Sequence, residues 1–424
     1  MLFLGDLRMR RYLIGCLAAA ALAMPVAALA SFSNMYVFGD SLSDNGNLYG
    51  WTGAPNPVTG GVDPDTGLPT SDTPTPIPLS PPYSPPPGSP GTFQNGPSYS
   101  QLLWTGLQAA NHLPVAGNLN PRGLLPWGPP ALDPNPPAGT NYAVGGARSR
   151  YHRFDLTDPD TGQLVPQATW PLPPAPGAAT YYPFSLRGQF DQFAMDVSGI
   201  VDPNALFVVW SGSNDVGDAL LLFDPTAADP FANVNLRMQE ALQDVGAVLG
   251  GLVTAGAEYL LVPNVPDLGL TPELKMKGSE AVLLATGLSA AYNVALEGII
   301  GSLFSINSDL TVYSFDTFAL LQQVAAHPGD FGFTNVTDPC LVNFFVGSVI
   351  DPAKPVTVCP NPDEFLFWDI NHPSAATQQI LANGMLSAIP EPGSWLLVGI
   401  GLVAVFSIRR GRRASLLAAD VATA

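Results

Sequence analysis

Tyr36-Val37-Phe38-Gly39-Asp40-Ser41-Leu42-Ser43-Asp44-Asn45-Gly46-Asn47 is the stretch from which the fold is read. Tyr36–Phe38 is a short apolar, β-prone run suited to a buried strand. It stops at Gly39, and Asp40-Ser41 is expected to open a helix, with Asp44 and Asn45 supplying first-turn polarity. A serine so placed carries its hydroxyl at the carboxyl end of a strand, where open α/β sheets bind ligands. Its N–H sits at a helix N-terminus, where negative charge is favoured. Those are the needs of an acyl-transfer nucleophile. The same residues also make an ordinary strand-to-helix turn with a capping Ser or Asp, so the assignment depends on partners downstream.

Outward from this point, apolar runs and helical periodicity alternate. Thr140 to Ala147 (TNYAVGGA) reads as a short strand ending in two glycines. Leu186, Phe190, Phe193 and Val197 have helical spacing, and Ala205–Trp210 is a buried strand. Leu236–Ala255 is a helix, Tyr259–Val262 a strand, Glu280–Phe304 a helix and Leu310–Phe315 a strand. Phe318–Ala326 and Ala375–Leu386 close as helices. Strands alternating with helices imply a parallel sheet covered on both faces. Between these lie irregular stretches: residues 50–91, with thirteen prolines between Pro55 and Pro90, then 114–139 and 159–176. The first reads as a polyproline-like surface loop near the site.

With 424 residues and 46% hydrophobic content the chain has enough for a full core, and its 45 Pro and 42 Gly cluster in loops rather than repeating. Residues 31–390 carry 9 Lys and Arg against 31 Asp and Glu, a balance of −22. Such a body repels nucleic acid and anionic lipid surfaces. Arg8, Arg10 and Arg11 precede the apolar run Tyr12–Met24, and Ala28-Leu29-Ala30 makes a small-residue cleavage site. Residues 1–30 are therefore expected to be a secretory signal peptide, removed by signal peptidase. Removal takes Cys16 with it and leaves Cys340 and Cys359. In an oxidising space a disulfide is the favoured reading, two free thiols the alternative.

Three further pieces fall at strand ends or in adjoining loops. In Asn141-Tyr142-Ala143-Val144-Gly145-Gly146-Ala147 a glycine pair lets backbone N–H groups approach a ligand, though it also suits a plain tight turn. In Gly212-Ser213-Asn214-Asp215 the Asn214 amide can donate to a developing oxyanion or cap the next helix. In Trp368-Asp369-Ile370-Asn371-His372-Pro373-Ser374 an Asp three residues before a His can hold one imidazole nitrogen while the other faces a nucleophile. Of the four histidines, His112, His152 and His327 have no comparable carboxylate arrangement nearby, and the nearest rival, His327-Pro328-Gly329-Asp330, reads as a turn.

These motifs, GDSL, NYAVGGA, GSND and the Asp-x-x-His loop, occur in the order shown by the GDSL, or SGNH, esterase/lipase family, and together they span residues 36–374. The chain resembles in particular the secreted branch reading FGDSLSDxGN, with a Cys-containing loop before FWDxxHP. It departs from that branch in its long Pro-rich insert and in Ser374 where Thr is usual. The resemblance implies a three-layer α/β/α sandwich with a central, mostly parallel, flavodoxin-like sheet, in one hydrolase domain over 31–388 with the insert at 50–91. It implies Ser41 as nucleophile, His372 as base and then acid, and Asp369 orienting it. It places the Ser41 N–H, the Gly146 N–H and the Asn214 amide around the oxyanion, with Asp40, Asp44 and Gly145 in support. No metal or cofactor enters.

Ile389-Pro390-Glu391-Pro392 is followed by the apolar run Trp395–Ile408 and by Arg409-Arg410-Gly411-Arg412-Arg413. Fourteen helical residues reach about 21 Å, short of a hydrocarbon core of roughly 30 Å. The arrangement is similar to the PEP-CTERM sorting signal over 389–413, with 414–424 a short tail. That implies recognition by an exosortase-type protease at the inner membrane, transient anchoring there, and a final location in the envelope or outside; a plain tail anchor is the alternative. The expected function is an exported serine ester hydrolase acting on a lipid, an acylated sugar or a small ester. Lipid acyltransferase or phospholipase action, polysaccharide deacetylation on the same site, and a catalytically silent matrix-binding protein stay open. An autotransporter esterase is set aside, since about fifty residues after His372 are too few for an eight-stranded barrel.

Overall fold

The strand read from Tyr36–Phe38 forms as β1 (Met35–Gly39), with Val37 and Phe38 fully buried. In the computed structural model the described residues are 31–53, 61–62, 69–70, 76–80, 82–83, 91–114, 119–122, 139–150 and 185–390. The expected signal peptide, the stretch 159–176, most of 50–91 and 114–139, and the sorting segment beyond residue 390 lie outside them. Residues Phe32–Ile389 form one compact unit.

β1 pairs in parallel with β2 (Leu206–Trp210), in register Val37↔Val208 and Gly39↔Trp210. β2 pairs in parallel with β3 (Tyr259–Pro263), and β3 with β4 (Thr311–Phe315). On the outer edge of β1, residues 140–144 run parallel to it without forming a full strand. Val37 N–H donates to Thr140 O (3.0 Å), Tyr142 N–H to Val37 O (2.7 Å) and Val144 N–H to Gly39 O (3.1 Å). Taken in chain order, these five segments lie 2-1-3-4-5 across the sheet. The order reverses between β1 and β2, and that is where open parallel sheets bind ligands.

All five residues of β2 are buried, as a central strand covered on both faces requires. Phe38, Phe207, Val209, Leu260 and Val262 point into one core with α3 (Leu186–Asp196), α5 (Ala232–Thr254) and α6 (Ser279–Leu303). On the other face α2 (Tyr99–Ala109) and α8 (Ala375–Ala388) pack together, with Tyr99 edge-on to Trp210 at 4.9 Å. The result is three layers, helix on sheet on helix. α6 alone among the described helices is long and apolar enough to cross a membrane. Its Leu288, Tyr292, Leu296 and Ile300 are instead committed to this core.

Besides the strand expected within Thr140–Ala147, which forms only in part, one further expectation fails. No helix opens at Asp40-Ser41; Ser43 and Asp44 N–H both donate to Asp40 O (3.0 and 2.9 Å), making a single turn. The helix α1 starts only at Asn47 (Asn47–Gly53). Asp44 causes the delay, because its carboxylate accepts the N–H groups of Gly46 (2.8 Å), Asn47 (2.7 Å) and Leu48 (3.2 Å) and so caps the later start.

Candidate active site

Two wings meet over the carboxyl ends of β1 and β2. The first grows from the turn after β1. Asp44 Oδ2 also accepts Gly145 N–H (2.8 Å), so one buried carboxylate ties four backbone donors and joins the Ser41 turn to the glycine pair. Burial pushes its carboxyl up to about 6 against those four bonds. Gly145 has no space for a side chain, because the Phe93 ring occupies the position a Cβ would take. Gly146 has φ +82°, which glycine adopts without cost. Among the described residues the N–H groups of Ser41 and Gly146 make no hydrogen bond. Ser41 is buried and Gly146 half-buried, and both line the cleft that holds the Ser41 side chain.

Asn214 stands at the start of α4 (Ser213–Leu221). Its amide donates to Ala147 O (2.9 Å) and lies 3.4 Å from Asp40 Oδ2. Asp40 accepts Leu42 N–H (3.0 Å), and burial again raises its carboxyl to about 6. The motif reading missed Arg148. Its guanidinium grips Asp218 through two hydrogen bonds (2.9 and 2.8 Å) and donates to Gly146 O (2.8 Å), fixing the peptide that follows the glycine pair. A lone Arg after a glycine turn carries no sequence signal for that task.

The second wing is the loop before α8. Asp369 is fully buried; its Oδ1 accepts the N–H groups of Asn371 (2.8 Å) and His372 (2.6 Å), and its Oδ2 faces His372 Nδ1 at 2.7 Å. A carboxylate accepts only, so Nδ1 carries the proton and Nε2 is left as acceptor. Nε2 lies 2.9 Å from Ser41 Oγ. Phe345 stacks flat on the imidazole (5.7 Å between centroids, 14°) and Phe93 lies tilted beside it at 5.2 Å. The strand leading in, β6 (Phe365–Phe367), pairs in parallel with β5 (Asn335–Pro339). Cys340 and Cys359 are joined as a disulfide, and Leu341 N–H donates to Trp368 O (2.6 Å). This clips the cystine lobe directly to the Asp369–His372 loop.

Asp40, Ser41, Gly145, Gly146, Asn214 and His372 line a single cleft of about 330 Å³, with Leu42, Leu48, Phe93, Leu220 and Phe345 making its apolar walls. A site of this kind can polarise a hydroxyl, hold an imidazolium and receive a small anion at backbone donors. Tyr83 was also missed, and belongs to the second wing. It lies inside the Pro-rich insert, where no periodicity marks one residue above another.

Sheet order, the hydroxyl at the switch point and the loop before α8 together define an α/β sandwich of the GDSL class. Residues 35–385 match the family described as GDSL-like lipase/acylhydrolase, and the chain belongs to it. Residues 388–413 match the PEP-CTERM protein-sorting motif. A GDSL esterase/lipase of Arabidopsis thaliana is 24% identical over 396 residues, 91% of this chain and 92% of its own. Esterase EstA of Pseudomonas aeruginosa is 27% identical over 89% of this chain and 50% of its own. An uncharacterised protein from the trpE-trpG intergenic region of Pseudomonas putida is 29% identical over 73% of this chain and 49% of its own. The chain spans about half the length of several such relatives.

Proposed function

We propose that this protein is an exported serine ester hydrolase, its residues 31–388 forming the hydrolase domain. The observation that carries the reading is the unbroken hydrogen-bonded chain from Ser41 Oγ through His372 to Asp369. In this reading Ser41 Oγ attacks the ester carbonyl carbon as His372 Nε2 takes its proton. Asp369 holds the imidazolium that forms. The carbonyl oxygen becomes an oxyanion held by the unmatched N–H groups of Ser41 and Gly146 and by the Asn214 amide. Collapse of the intermediate expels the alcohol, which takes the proton back from Nε2, and leaves the acyl group on Ser41. Water then attacks that acyl-enzyme with His372 as base, and the acid is released.

The apolar cleft walls favour an acyl chain or other apolar group on one side of the ester, and the acidic body disfavours anionic membranes as substrate. The C-terminal sorting motif supports export, with processing by an exosortase-type protease. The test is a fluorophosphonate probe run beside p-nitrophenyl ester hydrolysis. The wild type is expected to label on Ser41, and Ser41→Ala to lose labelling and at least about 10³-fold in turnover. A Ser41→Ala protein hydrolysing esters at the wild-type rate would sink the proposal.

A further inference from the structure

The Pro-rich insert read as a surface loop places one side chain at the heart of the second wing. Tyr83 is fully buried, and its hydroxyl donates to Asp369 Oδ2 at 2.6 Å. The same hydroxyl accepts Val346 N–H at 2.8 Å, so the phenol is held from both sides and cannot turn away. The insert grips Val346 a second time, since Leu79 N–H donates to Val346 O (2.8 Å). Val346 has φ +60°, an unfavourable conformation for a β-branched residue. It follows Phe345, whose ring stacks on His372. The Tyr83 ring packs in the cluster of Cys340, Leu341, Phe344 and Trp368, against the clip that leads into the loop.

Resting on the esterase reading above, we propose that Tyr83 is a positioning residue of the catalytic machinery: its hydroxyl fixes the Asp369 carboxylate, and its hold on Val346 fixes the Phe345 ring over His372. Without it Asp369 Oδ1 keeps its two backbone donors, but Oδ2 keeps only His372 Nδ1, and the carboxylate is held by three hydrogen bonds instead of four. Tyr83 does not line the cleft, so it acts through Asp369 and not on the substrate. Among the described residues, the charged or titratable groups facing the imidazole are Asp369 on its own loop and Asp40 from the turn after β1. Tyr83, from the insert, reaches the imidazole only through Asp369. Losing a donor concentrates negative charge on Oδ2, which favours the imidazolium and moves the acid limb of the rate to higher pH.

The experiment compares wild type and Tyr83→Phe, which keeps the ring and deletes the hydroxyl, by the rate of fluorophosphonate labelling across pH. The saturating rate is expected to fall about tenfold, the order of one charge-assisted hydrogen bond. The half-saturating probe concentration should stay within about twofold, and the acid limb should move up. A structural role alone would lower thermal stability without shifting that limb. An Asp369→Asn background supplies a second measurement: if Tyr83 acts through the carboxylate, Tyr83→Phe costs little further rate there. A labelled wild type whose Tyr83→Phe variant keeps rate and pH limb, or whose losses simply add in the Asp369→Asn background, overturns this inference alone. A wild type that never labels overturns the serine reading and this inference with it.

Discussion

The two wings of the site are built by opposite strategies. The Ser41 wing is wired by backbone: one Asp44 carboxylate collects four N–H groups, and the Gln189 amide both donates to and accepts from Gly39 (2.8 and 2.9 Å). It stands on the central sheet, with its partners at the ends of adjacent segments. The His372 wing is assembled from side chains on three remote pieces: Tyr83 of the insert, Phe345 of the cystine lobe and the Asp369 loop itself. A parallel sheet supplies the first kind of support as a by-product of its own hydrogen bonding. A loop beyond the sheet has no such framework and must recruit one.

The largest effect that sharpens this contrast is expected at Asn214, the one side chain of the Ser41 wing assigned to the oxyanion. Asn214→Ala should cost about 10²–10³ in kcat, with KM little changed and the fold intact by circular dichroism. A loss of tenfold or less would mean that the two backbone N–H groups carry the anion by themselves.

Next comes the disulfide. Opening Cys340–Cys359, a sequence separation of 19, should remove about 3 kcal/mol by chain-entropy reasoning. The loss should be local first. Activity in reductant should fall at temperatures where far-ultraviolet circular dichroism is unchanged, because the clip serves the recruited wing and not the sheet. Activity and ellipticity declining together would show that the lobe and the sandwich melt as one.

The smallest effect is on stability against pH, and it belongs to the Ser41 side. Burial raises Asp40 and Asp44 to about 6 and Asp215, which accepts the Ser149 N–H and hydroxyl, to about 7. Each folded value lies above the ordinary carboxylate value of 3.8. Between those values the native state holds more protons than the unfolded chain, so stability falls as pH rises through 6 to 7. Asp196, paired with Arg122, is lowered instead and acts below that window. Thermal melting should therefore occur a few degrees higher at pH 5 than at pH 8. A melting temperature that climbs over this range would show that the buried carboxylates are ionised and compensated.

The same contrast explains what could be read from the sequence. β1, β2 and the Asn214 turn are short continuous signals in which apolar run and polar terminus are neighbours in the chain. The Asp369–His372 pair was equally visible, since both residues sit within one turn of each other. The helix expected at Ser41 was misplaced because Asp44, a plausible first-turn residue, acts instead as the cap of a later start. Tyr83 had no local signal, because its partner Asp369 is 286 positions away and it stands among Pro81, Pro82, Pro85, Pro86 and Pro87. Arg148 was overlooked for a related reason: its task is set by Asp218, 70 positions further on.

The bond between Ser41 and His372 bridges 331 positions of chain. Synthesis proceeds from the N-terminus, so the hydroxyl is made well before the imidazole that pairs with it. On the proposed mechanism a nascent chain that stops short of His372 is inert, and competence waits for the loop that carries that residue.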